Sequence, residues 1–372
     1  MAKLVQDASL TSVANAIRAK TGGTDQLTFP SGFVSAIEGI TAGVATEPYI
    51  EETYDAQGNL IGAAMHGYTK IRDYVFYNCA KLALTSLPSE MTSIGNDAFA
   101  GCTGLALTSL PSGLISIGNE AFNECTSLAL TSLPSGVTSI GSSAFTGCTN
   151  LALTSLPSGI ASISEGAFAG CTSLDLTSLP SGIASIGSGA FDGCTNLAFT
   201  SLPSGITRIG PYAFSGCTNL ALTSLPNGLT TINAGAFFNC ANLALASLPS
   251  GVTIIEAYVF QNCTSLALTS LPSGVTSVDI SAFDGCTNLA LTSLPSGLTS
   301  IGGNAFNNCT GLTSITFEGR PRSIPSNAFA NCTNLTSIKV PWAEGSVSNA
   351  PWGATNATIT YNYTGENVNP AT

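Results

Sequence analysis

From residue 68 onward, large apolar residues return every 23 positions with a nearly constant pattern between returns. The stretch Cys148 to Gly170 shows one unit. Leu151, Leu153, Leu156, Ile160, Ile163, Phe168 and the next Cys171 are its apolar positions, and polar or small residues fill the rest. Leu151 and Leu153 alternate across Ala152, which predicts a short strand. Leu156-Pro157-Ser158-Gly159 predicts a turn, because proline fixes φ and glycine supplies any positive φ. Ile160 to Ile163 predicts a second extended piece. Ala167-Phe168 predicts a tight helical or 3₁₀ turn. Such a chain bends three times per unit and returns to its start one level higher.

A single unit of this kind cannot bury its apolar face, so it must stack on copies of itself. The register never slips: twelve cysteines run from Cys79 to Cys332, each three residues after a phenylalanine, Phe76 to Phe329. A fixed period in the 20–29 range with a ladder of leucines marks a leucine-rich repeat. The predicted fold is a mainly β solenoid of about twelve 23-residue rungs over residues 68–341, with a small α-helical N-terminal segment.

The flanks read differently. In residues 1–40, Leu10, Val13 and Ile17 lie at helical spacing, and Phe29, Phe33 and Ile37 supply a second apolar stripe. This segment is expected to attach or oligomerise the chain. Residues 41–67 read as a linker and a hairpin cap, with strands near Tyr49–Tyr54 and Leu60–Met65 around an Asp-Ala-Gln-Gly-Asn turn. Residues 342–372, with Trp342, Trp352 and an alternating run to Tyr361, read as a C-terminal cap and tail.

Composition narrows the function. Charged residues are 8% of the chain and the net charge is −11. No Lys or Arg occurs between Lys81 and Arg208, or between Arg208 and Arg320. The basic stripe that nucleic acid or anionic lipid requires is therefore missing, so no nucleic-acid partner is expected. No secretory leader or spanning apolar run is visible, so no membrane insertion is expected. The cysteines recur at one site of each unit, which favours a column of buried free thiols over disulfides. There is no Cys-x-x-Cys and one histidine, His66, so neither a metal nor another cofactor is expected.

Enzyme chemistry finds no residue set. His66 has no nucleophile motif beside it. The acids, such as Asp97, Glu120, Glu165, Asp192 and Glu256, fall one per unit or fewer and read as a solvated face. The chain is expected not to be an enzyme. Variation between units is more informative, because it concentrates on either side of Ala-Phe. Exposed aromatics there mark binding surfaces. The candidate patch is Phe199, Arg208, Tyr212, Phe238, Tyr258 and Gln261.

The half-unit Ile-Gly-x-x-Ala-Phe-x-x-Cys, as at Ile301 to Cys309, resembles the BspA-like (Treponema pallidum-type) leucine-rich repeat over residues 68–341. The middle units depart from that pattern, with Leu-x-Leu-x-x-Leu where the family has Leu-x-x-Leu-x-Leu. The resemblance implies a bacterial cell-surface adhesin that binds host proteins. Leu10 to Phe33 and Pro351 to Ile359 resemble the ends of phage and prophage structural proteins of Firmicutes. That second resemblance implies a virion fibre or decoration protein, made in the host cytoplasm. Its helical start would hold other virion proteins or form a homo-oligomer, and its solenoid would bind a host-surface protein or glycan. The virion role is the first expectation and the surface adhesin its alternative.

Overall fold

A computed structural model of the chain describes residues 48–364. The apolar stripes at Leu10, Val13, Ile17, Phe29, Phe33 and Ile37 lie outside the described residues. A hairpin opens the described part, with strands β1 (Tyr49–Tyr54) and β2 (Leu60–His66). Asp55 organises its turn by accepting the backbone N–H groups of Gln57 and Asn59 at 3.0 and 2.8 Å. Lys81 of the first rung reaches back to the same carboxylate at 2.9 Å. Ala83 also donates its N–H to Ile61, so the hairpin continues into the solenoid by a backbone bond.

Each rung up to Ser300–Ile301 then contributes a two-residue strand at the Ser-Ile position. The first sheet holds β3 (Lys70–Ile71), β4 (Ser93–Ile94), β5 (Ser116–Ile117) and β6 (Ser139–Ile140). The second holds β7 (Ser162–Ile163), β8 (Ser185–Ile186), β9 (Arg208–Ile209) and β10 (Thr231–Ile232). The third holds β11 (Ile254–Ile255), β12 (Ser277–Val278) and β14 (Ser300–Ile301). All pairs are parallel and in register, Ser93 on Ser116 and Ile94 on Ile117 for example, so every paired residue is one period from its partner.

The expected strand at Leu-x-Leu is not where the regular ladder forms. Leu151, Leu153 and Leu156 all point inward, and their two-then-three spacing breaks the alternation a longer strand needs. Strands appear on that side only toward the C-terminus: β13 (Ser293–Leu294), β15 (Ser314–Phe317), β16 (Ser337–Lys339) and β17 (Thr358–Thr360).

The Ala-Phe segment also differs from expectation. It is a turn and not a helix, because two positions per rung take left-handed φ. One lies two residues before Phe, as at Ser143 (φ 54) and Gly166 (φ 59); the other just before Cys, as at Gly147 (φ 72) and Asn262 (φ 59). This backbone builds a second ladder. Ser143, Phe145 and Gly147 donate to the carbonyls of Glu165, Ala167 and Ala169 of the next rung at 2.7–2.9 Å. The turn face and the Ser-Ile strands thus satisfy the backbone in opposite directions along the axis, since Thr138 and Gly141 donate to Ile115 and Ile117 of the rung before.

The interior is a set of one-residue columns. The twelve Phe rings from Phe76 to Phe329 stack at 5.0–5.8 Å between centroids, within 15° of parallel. Beside them run the thiols. From Cys102 to Cys332 each Sγ donates to the carbonyl of the Phe one rung back at 3.0 Å, as Cys171 does to Phe145. Burial pushes these thiols up, to about 12 at Cys102 and about 11 at Cys332. All twelve cysteines are free. At the C-terminal end Trp352 falls one period after Phe329, where a thirteenth Phe would stand. It is fully buried, donates its ring N–H to Ser348, and packs near Trp342 and Phe317.

Candidate functional site

The Leu-Thr-Ser-Leu-Pro-Ser-Gly side barely varies between rungs. On the strand side exposed hydroxyls help hold rungs together: Thr276 and Thr299, just before β12 and β14, each donate to the carbonyl one period earlier, at 3.2 and 3.0 Å. The turn face is the variable side. Four residues per rung look outward there: the two before Ala and the two between Phe and Cys.

The first of these positions is polar in most rungs. At Asp73, Asn96 and Asn119 the side-chain oxygen accepts the N–H of the next rung's equivalent residue at 2.7–2.9 Å. In four consecutive rungs it becomes apolar instead: Pro211, Ala234, Ala257 and Ile280, the last 51% exposed. The second position there carries Tyr212 and Tyr258, 43% and 37% exposed. Both tyrosines hold left-handed φ, 53° and 60°, at a position that glycine fills in other rungs. An L-residue there costs about 1–2 kcal/mol. The Tyr212 ring lies over the next rung, where a Cβ on Gly235 would meet its Cε1 at 2.3 Å. Phe238, in that same next rung, is half-buried at the third position.

The predicted patch therefore divides. Tyr212, Phe238, Tyr258 and Gln261 share the turn face of successive rungs. Gln261 donates to Asp284 at 3.1 Å, and Asn307 donates to the same carboxylate at 2.8 Å. Arg208 surfaces elsewhere, on strand β9. Phe199 is a correction. It occupies the Leu153 column, is fully buried, and meets Phe191 edge-on at 6.2 Å, so it fills the core and offers nothing to a partner. Ala234, Ala257 and Ile280 join the same face though nothing in a single unit marks them out. Their signal is the loss of polar residues from one column in four successive units, visible only when the units are superposed.

Charge on this face has one sign. The four outward positions hold Asp73, Asp97, Glu120, Glu124, Glu165, Asp192 and Asp284 among the described residues and no Lys or Arg. Asp97 is held above the usual carboxylate range, first by desolvation and next by Glu120 one rung on. Among the described residues no group of three or more His, Cys, Asp or Glu is placed to hold a metal ion. No described helix is long and apolar enough to cross a membrane.

A stacked parallel ladder, leucine and phenylalanine columns and one variable outer face define a leucine-rich-repeat protein. The chain matches the family model "BspA type Leucine rich repeat region" over residues 69–198, 153–267 and 255–350, and it belongs to that family. Among solved structures it is similar to a leucine rich cell surface protein from Faecalibacterium prausnitzii A2-165. That match has 28% identity, covers 82% of this chain and 97% of that one, and has a TM-score of 0.53. It is also similar in fold to a leucine-rich repeat protein from Bacteroides ovatus ATCC 8483, at 22% identity over 86% of this chain and 99% of that one, with a TM-score of 0.60. No curated protein matches it.

Proposed function

We propose that the chain is a non-enzymatic binding scaffold displayed at a bacterial surface. The observation that carries this reading is where variation falls. Core columns and the Leu-Thr-Ser-Leu-Pro-Ser-Gly side repeat almost unchanged, whereas the turn face changes from rung to rung and exposes aromatic residues. A surface that is exposed among the described residues and still departs from its own repeat is where recognition is expected. Tyr212, Phe238, Tyr258 and Gln261 are the proposed recognition residues of the turn face, and Arg208 stands apart from them on strand β9. The surface location draws on the likeness to the cell-surface protein of Faecalibacterium prausnitzii.

The virion reading has one specific support, the resemblance of Leu10 to Phe33 and Pro351 to Ile359 to phage structural proteins. Within the second of those segments Trp352 is buried, a core-closing role for that residue. On the virion reading Leu10, Val13, Ile17, Phe29, Phe33 and Ile37 would attach the chain to a particle. An antibody against the solenoid separates the two. Labelling of intact producing cells, with none on purified particles, is expected. Label on particles and not on cells would overturn the surface reading.

A further inference from the structure

We propose that the apolar strip on the turn face of the four rungs from Pro211 to Ile280 docks a cationic, amphipathic segment of a protein partner. Its apolar side chains would lie on Tyr212, Phe238, Tyr258 and Ile280, and its Lys or Arg side chains would meet Asp192 and Asp284. The proposal rests on the binding-scaffold reading and narrows it to one strip and one chemistry.

Three observations carry it. The first is the coincidence of two columns. Pro211 and Ile280 bound the rungs in which the outermost position turns apolar, and the exposed Tyr212 and Tyr258 stand at the next position in that same interval. The left-handed φ belongs to this position of the turn, where Tyr74, Asp97, Glu120 and Ser143 hold it as well. What sets Tyr212 and Tyr258 apart is a large aromatic side chain left over a third in water beside the apolar outer column, a pairing that points to use by another molecule.

The second is charge. Asp192 lies one rung before Tyr212 and Asp284 one rung after Tyr258, so each end of the strip carries a carboxylate. Gln261 and Asn307 fix the orientation of Asp284 without neutralising it. With no Lys or Arg at any turn-face position, the complementary partner is a cation, which also gains from the tyrosine ring faces. A second copy of this chain is a poor occupant, because the same acidic ends would face themselves in a symmetric contact. A neutral oligosaccharide could stack on the rings and donate hydroxyls to the carboxylates, but it would leave Ile280 unmatched and gain nothing from the single sign of charge.

The third is size. Core rings beneath the strip advance by 5.6, 5.8 and 5.6 Å per rung. The strip is therefore about 17 Å long, which accommodates roughly five extended residues. One segment of a partner fits this length, where a globular interface would need more surface.

The test uses the full chain and fluorescently labelled peptides read by anisotropy. The probe is a short peptide of alternating lysine and leucine, compared with one in which glutamate replaces lysine and with chitohexaose as a neutral glycan. The key variant is Tyr212→Ser with Tyr258→Ser and Ile280→Ser. Serine already occupies these positions at Ser143, Ser281 and Ser142, so the fold is kept and the net charge is unchanged. The lysine peptide is expected to bind, to bind at least about tenfold more weakly to the triple variant, and to be unaffected by Tyr74→Ser. Asp192→Asn with Asp284→Asn, and added salt, should each weaken it. Equal binding of the lysine and glutamate peptides, or full retention by the triple variant, overturns the proposal. Tyrosine-dependent binding of chitohexaose without the lysine peptide overturns the cationic partner but leaves the binding-scaffold reading standing.

Discussion

Raising the pH above about 10 should unwind the solenoid, because of its thiol column. Eleven thiols, Cys102 to Cys332, are buried, and desolvation pushes each above its ordinary value of 9.0. Cys102 and Cys148 move to about 12 and Cys332 to about 11. The unfolded chain ionises these thiols near 9, so above that pH the folded state holds more protons, and stability falls as pH rises. The contribution is fully present below pH 9 and is lost progressively toward the folded values of 11 and above. Each thiol shifts the balance by about 1 kcal/mol one unit above its unfolded value and about 3 kcal/mol two units above. There is one such thiol per rung, and a rung at about 0.05–0.15 kcal/mol per residue has only about 1–3.5 kcal/mol of net stability. The two quantities meet between roughly pH 10 and 11. Circular dichroism and thiolate absorbance, followed together on stepping the pH under reductant, should change in one cooperative transition there. Thiolate absorbance growing in near pH 9 with unchanged dichroism would refute the buried column. A native spectrum persisting beyond pH 11 would refute the claim that proton release rivals rung stability.

Other outcomes follow from the same columns. A small thiol reagent should label Cys79, the half-exposed member, well before any other cysteine in the native protein, and all twelve after denaturation. Phe214→Ala removes a ring stacked at 5.5 and 5.6 Å on its neighbours and should cost about 3–5 kcal/mol in chemical denaturation. Phe199→Leu restores the usual occupant of its column. It should cost under about 1.5 kcal/mol, and partner binding should not change, whereas a binding loss would restore Phe199 to the recognition surface. Trp352→Ala opens the C-terminal end of the core. It should cost about 3–5 kcal/mol, with hydrogen exchange increased first in β16 and β17.

Much of the fold was legible because a solenoid repeats its instructions. Position in the period gave the Phe column, the buried thiols and the outward turn residues, since in-register stacking puts every copy of a position in the same environment. What failed was local. Leu151 and Leu153 look like a strand, yet the next inward leucine comes three residues later and breaks the alternation. The Ala-Phe stretch looks like a helical turn, yet its left-handed residues let it bond to the next rung. Phe199 looks like a surface exception, yet it simply widens a core column. Tyr212, Phe238 and Tyr258 were visible as departures from the repeat. That they form one face with Ile280 was not, because it depends on which residues the turn points outward.

The sequence alone determined the period, and with it the stack, the columns and the rungs that break the rule. Only the tertiary structure decided which side of the rung carries the ladder and which broken positions face solvent. The reason is that a 23-residue period fixes translation from rung to rung but not rotation within a rung. That rotation is set by the left-handed turns and the bonds they make between rungs.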